Sequence, residues 1–191
     1  KADFEWAKSI AVGPGLSMNG VAAELTRCVL EREDKVRILD ADALNIIAAE
    51  HIDYKGSSEG KIIITPHIME MSRLTGKTVA DIKEHMIESA KEYAIQHSCI
   101  CILKDARTVV TDGQKVYINC TGNDGMSTGG CGDVLTGLIA GMTAMGLDAF
   151  EAACLSVYVH GKAGDYAAAG KGRAGMTAAD ISEAIAYVLK R

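Results

Sequence analysis

The sequence predicts an α/β fold with a mainly parallel central sheet and helices on both of its faces. Short apolar runs typical of strands alternate with stretches of helical periodicity through the first two thirds of the 191 residues. From Gly132 onward the patterns are helical only. The composition, 48% hydrophobic and 24% charged, is that of a chain able to bury a core. Strands and helices in this order are typical of parallel sheets that are covered on both sides.

The first elements follow one another closely. The run SIAV predicts a strand over 9–12, which a Gly-Pro-Gly segment ends. Apolar residues at helical spacing then predict a helix over 19–33. A second strand, VRIL, is predicted over 36–39, followed by a short helix from Asp42. A third strand, KIIIT, is predicted over 61–65 and stops at a proline.

The later segments predict the remaining strands of the sheet first and only helices after them. A capping-box pattern at Thr78 predicts a helix that runs to about His97. The runs CICIL, TVVT and KVYIN predict a strand that leads into a hairpin around Asp112-Gly113. Three helices follow, and they carry the runs VLTGLIAGMTAMG and EAACLSVYVHGKAGDYAA and a segment capped by Thr177 that ends at Lys190.

Charge and cysteine content exclude several classes of function. The 20 Lys and Arg residues against 25 Asp and Glu give a net charge of −5, so no basic surface for nucleic acid or an anionic membrane is expected. No apolar run reaches the length of about 18–20 residues that a membrane span needs. The six cysteines form no C-x-x-C pair, and we expect reduced thiols and a cytoplasmic protein. The histidine spacing predicts no structural metal site.

A glycine-rich segment, T-G-G-C-G-D-V-L-T-G over 128–137, carries the strongest chemical signal. Gly129, Gly130 and Gly132 leave backbone N–H groups uncovered where a helix begins, which predicts an anion site suited to phosphate. Asp133 lies on the first turn of that helix. It is either a general base for a hydroxyl that attacks phosphorus or a helix N-cap. The segment lacks the Lys-Ser/Thr pair of a Walker loop.

This segment, preceded by Asn-Asp-Gly-Met, resembles the anion-hole segment of the ribokinase-like superfamily, and more narrowly that of the ADP/ATP-dependent NAD(P)H-hydrate dehydratases. Four further segments resemble the same family in the same order: V-G-P-G-L over 12–16, L-D-A-D-A-L-N over 39–45, T-P-H with Glu70 over 65–70, and L-K-D-A-R-T over 103–108. The resemblance implies a ribokinase-like three-layer sandwich, with residues 1–191 forming a single domain. It covers the later two thirds of the family's usual domain, so the early strands are expected to be absent from this chain.

The resemblance also implies roles for individual residues on the substrate side. Asp133 would be the catalytic base and would contact the substrate. Gly15 would let the hydrated nicotinamide ring approach the backbone, and His67 would contact that substrate. Glu70 would hold Mg²⁺ through water.

On the nucleotide side, the glycines at 129, 130 and 132 would bind ADP or ATP together with a segment that ends a strand: Lys104, Asp105, Ala106, Arg107 and Thr108. Asp105 stands where the family usually has Gly, and its side chain argues against a close approach of the nucleotide to the backbone there. Cys131 replaces the commoner Ser at a helix N-terminus, where the pKa of a thiol can fall. Asp40 and Asp42, at the end of the VRIL strand, are second-rank site candidates.

The activity implied is dehydration of hydrated NADH and NADPH (NADHX and NADPHX). The nucleotide, with Mg²⁺, would phosphorylate the ring hydroxyl, and phosphate would then be eliminated. Two alternatives remain open, a vitamin-precursor kinase of the same superfamily and a non-catalytic nucleotide-binding fragment. We also expect a homo-oligomer, with a further chain that supplies the missing N-terminal part.

Overall fold

A six-stranded sheet lies at the centre of the computed structural model, which describes residues 4–57 and 61–190. The strands lie in chain order across the sheet. The first four are parallel, and the last two continue the sheet as an antiparallel hairpin, which confirms the predicted mainly parallel sheet. The strands are β1 (Ser9–Val12), β2 (Val36–Leu39), β3 (Ile62–Ile64), β4 (Ile100–Leu103), β5 (Val109–Thr111) and β6 (Val116–Ile118).

Eight α-helices accompany these strands in the described residues. They are α1 (Gly20–Leu30), α2 (Asp42–Ala49), α3 (Ile68–Thr75), α4 (Val79–Glu84), α5 (Met86–His97), α6 (Cys131–Ala144), α7 (Ala149–Lys171) and α8 (Ala178–Val188). In the same ranges, none of the helices is both long and apolar enough to cross a lipid bilayer.

The helices cover both faces of the sheet, as predicted. Side chains alternate between the faces along each strand, so Ile62 and Ile64 pack with α1–α5 while Ile63 packs with α6 and α7. Each face therefore has its own apolar core, and the result is the expected three-layer arrangement. A third cluster joins α8 to α6 and α7.

The structure differs from the sequence-based expectations at two helical segments. The helix α3 was not predicted, because the proline and histidine before it resemble a strand end followed by a loop. The helix predicted from Thr78 to about His97 consists of α4 and α5. The backbone of His85, with φ −126° and ψ 49°, leaves the helical region between them. Both halves contribute to one core, through Ile82 and Tyr93.

Candidate active site

Polar residues gather at one edge of the sheet, where the four parallel strands end. Asp40 follows β2, and Thr65 follows β3. Lys104 follows β4, and its backbone N–H donates to Pro66 O at 2.8 Å. The carboxyl ends of parallel strands are where open α/β sheets bind their ligands. The N-terminus of α6 lies against this edge, because Gly132 lies beside Lys104.

The glycine loop gives α6 an open N-terminus. Gly130 is the N-cap, with φ +88°, a conformation that favours glycine. In the part of the chain that the structure describes, no side chain caps this helix. Gly129 is exposed, and a Cβ there would meet no atom within 4 Å. The first-turn amides are thus open to an anion.

Asp133 lies on the first turn of α6 and is exposed. Gly130 occupies the N-cap position, so the interpretation of Asp133 as the N-cap is wrong. Among residues 4–57 and 61–190, the Asp133 carboxylate has no hydrogen-bond partner. It is a solvated acceptor beside the amides of the glycine loop.

Asp40 connects Lys104 to α6. Lys104 Nζ donates to Asp40 Oδ1 at 2.9 Å, and Thr136 Oγ1 donates to Asp40 Oδ2 at 2.7 Å. A Cβ on Gly132 would lie 3.5 Å from Lys104 Nζ and 3.8 Å from Asp40 Oδ2. The lysine ammonium is therefore held next to the glycine loop.

Asp40 is 1% exposed, yet it keeps its charge. Burial raises the pKa of its carboxyl, but the charge of Lys104 and the hydrogen bonds from Lys104 and Thr136 outweigh burial, and the net pKa is lowered. A buried carboxylate with a cation on one oxygen and a hydroxyl donor on the other is well compensated.

The turn from Lys104 to Thr108 joins β4 to β5. Arg107 Nη1 donates to Ala106 O at 3.2 Å, and Thr108 Oγ1 donates to Asp105 O at 3.3 Å. These two side chains thus bond within the turn, whereas Lys104 reaches the glycine loop. Asp105 does not have a positive φ, so this backbone accommodates an aspartate where the family usually has glycine.

His67 and Glu70 cap the start of α3. His67 Nδ1 accepts from the backbone N–H of Met69 and of Glu70, both at 3.1 Å. The backbone N–H of His67 donates to Glu70 Oε2 at 2.8 Å. Burial, with the charges of Lys104 and Arg73, lowers the pKa of His67, so we assign a neutral ring with its proton on Nε2.

Glu70 is the residue for which Mg²⁺ was predicted. It is 4% exposed, and burial raises the pKa of its carboxyl. Its second oxygen, Oε1, lies 3.4 Å from His67 Nε2. In the described ranges, no group of three His, Cys, Asp or Glu side chains gathers as a metal site. Mg²⁺ usually keeps several waters and binds one or two carboxylates plus substrate phosphates, so a single carboxylate that acts through water fits this chemistry.

The two glycines of the Gly-Pro-Gly segment have different structural requirements. Gly15 is exposed with φ +65°, and a Cβ there would meet nothing within 4 Å. Gly13 has φ +126°, and its Cβ would lie 1.7 Å from Asp40 O. Glycine is thus required at position 13 for the chain after β1 to approach Asp40.

Two side chains beneath the glycine loop change the sequence-based interpretation. Cys131 is 6% exposed and burial raises the pKa of its thiol, so the expected activation at the helix N-terminus is wrong. His160, on α7, was not predicted. Burial lowers its pKa to about 4, and a hydrogen bond with the Cys131 backbone and the charge of Lys104 contribute in opposite directions. His160 is therefore neutral near pH 7.

Comparison with protein families and known structures identifies the family and the fold of this chain. The family model for NAD(P)H-hydrate dehydratase matches residues 1–187. A bifunctional NAD(P)H-hydrate repair enzyme, Nnr, from Moorella thermoacetica is 45% identical over 183 residues, which are 95% of this chain and 34% of that protein. The ADP-dependent (S)-NAD(P)H-hydrate dehydratase of Neisseria meningitidis is 33% identical, with 97% of this chain and 63% of that protein covered. The chain thus spans about a third of the bifunctional relative and under two thirds of the dehydratase.

Solved structures give the same result. The ADP/ATP-dependent NAD(P)H-hydrate dehydratase from Bacillus subtilis, co-crystallised with ATP/Mg²⁺, matches with a TM-score of 0.87 and 33% identity over 98% of this chain and 66% of that one. A ribokinase-like superfamily protein from Enterococcus faecalis matches with a TM-score of 0.84 and 28% identity, over 96% of this chain and 63% of that one. These matches confirm the ribokinase-like fold. The chain belongs to the NAD(P)H-hydrate dehydratase family.

Proposed function

We propose that this chain catalyses the ADP- or ATP-dependent dehydration of hydrated NADH and NADPH. The observation that carries the proposal is the N-terminus of α6. There, open amides of the glycine loop, the Lys104 ammonium and the unpaired carboxylate of Asp133 lie together. Amides and a lysine bind phosphate, and a solvated carboxylate next to them accepts a proton. The family relationship supplies the substrate class.

The reaction begins as a phosphoryl transfer. The nucleotide's terminal phosphate lies against the amides of Gly129, Gly130 and Gly132, and Lys104 contacts the phosphate oxygens. Asp133 removes the proton from the ring hydroxyl, whose oxygen attacks the terminal phosphorus. The bond from that phosphorus to the bridging oxygen breaks, and the shortened nucleotide leaves. The amides and the ammonium stabilise the charge on the transferring group.

The second step returns the reduced dinucleotide. The lone pair of the ring nitrogen expels phosphate by breaking the C–O bond, and loss of a ring proton restores the dihydronicotinamide. The sum is loss of water from the hydrate at the expense of one phosphoanhydride bond, so the enzyme is a lyase. Mg²⁺ bound with the nucleotide would neutralise phosphate charge, and Glu70 would hold one of its waters.

The turn between Lys104 and Thr108 would line the remainder of the nucleotide site, and its residues Asp105, Ala106 and Arg107 are exposed. Gly15 and His67 would bind the hydrated ring, because they follow β1 and β3 at the same edge of the sheet as Lys104. The His67 side chain is 50% exposed, which leaves its ring accessible to a ligand.

Incubation of the purified chain with NADHX or NADPHX, Mg²⁺ and either ADP or ATP tests the proposal. Recovery of absorbance at 340 nm that requires a nucleotide supports it, and comparison of ADP with ATP identifies the donor. A phosphorylated product that accumulates without this recovery would indicate a vitamin-kinase type of activity instead. Nucleotide binding without turnover would favour a non-catalytic fragment.

We further propose a cytoplasmic homo-oligomer. The six cysteines are free, as suits a reducing compartment. In the described ranges β1 pairs on one side only, with β2, and Trp6 and Val21 nearby in the chain are 82% and 75% exposed. An exposed edge and apolar side chains favour association. Intact mass spectrometry together with light scattering tests this, and a 20.2 kDa monomer would contradict it.

A further inference from the structure

Asp40 has no role in the mechanism above, although it is the most buried carboxylate at the site. Its side chain accepts hydrogen bonds from Lys104 on one oxygen and from Thr136 on the other. It therefore links the end of β4 to the second turn of α6. A buried carboxylate next to a phosphate site repels the phosphate, so its position calls for a physical reason.

The backbone of Asp40 is fixed from several directions. Its N–H donates to Val12 O at 3.1 Å, and its carbonyl accepts from Ala43 N at 3.1 Å. Gly13 packs against the same carbonyl so closely that no side chain fits. Ala41 follows with φ +48°, a conformation that is uncommon outside glycine and that the surrounding contacts must maintain. The carboxylate thus projects from a backbone that has little freedom to move.

Lys104, in contrast, is a point charge at the end of a flexible four-carbon chain. Its ammonium has three donors, and one of them binds Asp40. With its Nζ 3.5 Å from the Cβ position of Gly132, the other two donors are available next to the glycine loop. Without Asp40, the ammonium would move among several rotamers instead of staying at the first turn of α6.

We infer that Asp40 is a positioning residue, which fixes the Lys104 ammonium at the open N-terminus of α6 for the phosphoryl transfer. The inference rests on the proposed function. It predicts a characteristic division of effects, because the charge of Asp40 weakens phosphate binding while its ion pair with Lys104 orders the lysine. Removal of that charge should reduce kcat and leave nucleotide affinity nearly unchanged or slightly improved.

A purely structural role of Asp40 predicts instead that its variants keep the wild-type kcat per folded protein. The helix α6 provides a matched pair of threonines that separates this role from the positioning of Lys104. Thr136 Oγ1 donates to Asp40, whereas Thr143 Oγ1 donates to the helix carbonyls of Ile139 and Ala140. Both are buried, at 2% and 6% exposure. Thr136→Val and Thr143→Val therefore each remove one buried hydroxyl from the same helix, but only Thr136→Val removes a contact with Asp40.

The experiment measures kcat for NADHX dehydration and the Kd for ADP by calorimetry in Asp40→Asn, Thr136→Val and Thr143→Val. Asp40→Asn should lower kcat by about 10- to 100-fold and change Kd by less than about threefold. Thr136→Val should change kcat in the same direction by a smaller factor. Thr143→Val should match the wild type in both quantities.

A double variant distinguishes action through Lys104 from general damage. In the Lys104→Met background, Asp40→Asn should have no further effect on kcat, because the residue it positions is gone. Wild-type kcat per folded protein in Asp40→Asn and Thr136→Val, or additive effects in the double variant, would overturn the inference. If Asp40→Asn fails to fold, Thr136→Val alone decides. Wild-type protein that neither binds ADP nor regenerates NADH would instead refute the proposed function.

Discussion

The His67 backbone N–H lies 2.8 Å from Glu70 Oε2, while His67 Nδ1 accepts from the Glu70 N–H at 3.1 Å. The two residues thus satisfy each other's unpaired groups at the start of α3, in a capping box with histidine in place of serine or threonine. Glu70 therefore has a structural contact whether or not it also holds a metal-bound water. The two roles can be separated by experiment.

Glu70→Gln separates them because a glutamine Oε1 can still accept from the His67 N–H, whereas the negative charge is lost. If Glu70 holds a water of Mg²⁺, the Mg²⁺ concentration for half-maximal activity should rise by about tenfold. The melting temperature should change little. A magnesium titration at saturating nucleotide measures this, and an unchanged titration would leave Glu70 with the capping role alone.

Asp133→Asn should abolish turnover and spare nucleotide binding. Asparagine keeps the size of the side chain but cannot take a proton from the substrate hydroxyl, and loss of a general base costs about 10²–10⁴ in rate. Steady-state kinetics and ADP calorimetry on the same preparation measure both quantities. Turnover close to wild type would remove Asp133 from the mechanism.

Lys104→Ala should weaken nucleotide binding by about 1–3 kcal/mol, the range for a charge-assisted contact with phosphate. It should also lower stability, since it leaves the buried Asp40 without its cation. Lys77→Ala is the matched control, because Lys77, in the turn after α3, pairs at the surface with Glu92 of α5. Equal ADP affinities for the two variants in a calorimetric titration would contradict the placement of the phosphates.

His160 predicts a pH dependence of stability. Between pH 6.5 and about pH 4 the unfolded chain binds a proton at this residue and the folded chain does not. The free energy of unfolding therefore decreases as the pH falls through this window, by up to about 3 kcal/mol from His160. Asp40, whose pKa is lowered, makes a contribution that is lost only at still lower pH.

Urea denaturation at pH 7 and pH 5 in the wild type and in His160→Gln measures this contribution. Glutamine has a similar size and does not titrate, so the variant should lose less stability than the wild type between the two pH values. Equal losses would show that His160 is protonated at pH 5 in the folded protein.

Much of the fold could be predicted from the sequence because its signals are local. The parallel strands are short and mostly apolar, such as Ile62–Ile64, and each ends at a polar or turn-forming residue. The break at His85 has no such signal, because neither glycine nor proline occurs in that segment. The helix α3 was missed since its N-cap is a histidine, which is outside the usual set of capping residues.

The site could be predicted only in part. The glycine loop and Asp133 are adjacent in the sequence, so their pattern is visible there. Asp40 and Lys104 are 64 residues apart, and Asp40 and Thr136 are 96 residues apart, so only the folded chain brings them together. Likewise, the need for glycine at Gly13 comes from its packing against Asp40 O and not from the turn itself.

The stoichiometry of the reaction tests the central claim most directly. NADH formed from NADHX, followed at 340 nm, is compared with the inorganic phosphate released from the nucleotide in the same sample. The proposed mechanism predicts one NADH for each phosphate, with both absent in Asp133→Asn. Nucleotide consumption with a stable phosphorylated product and no recovery of absorbance would contradict it.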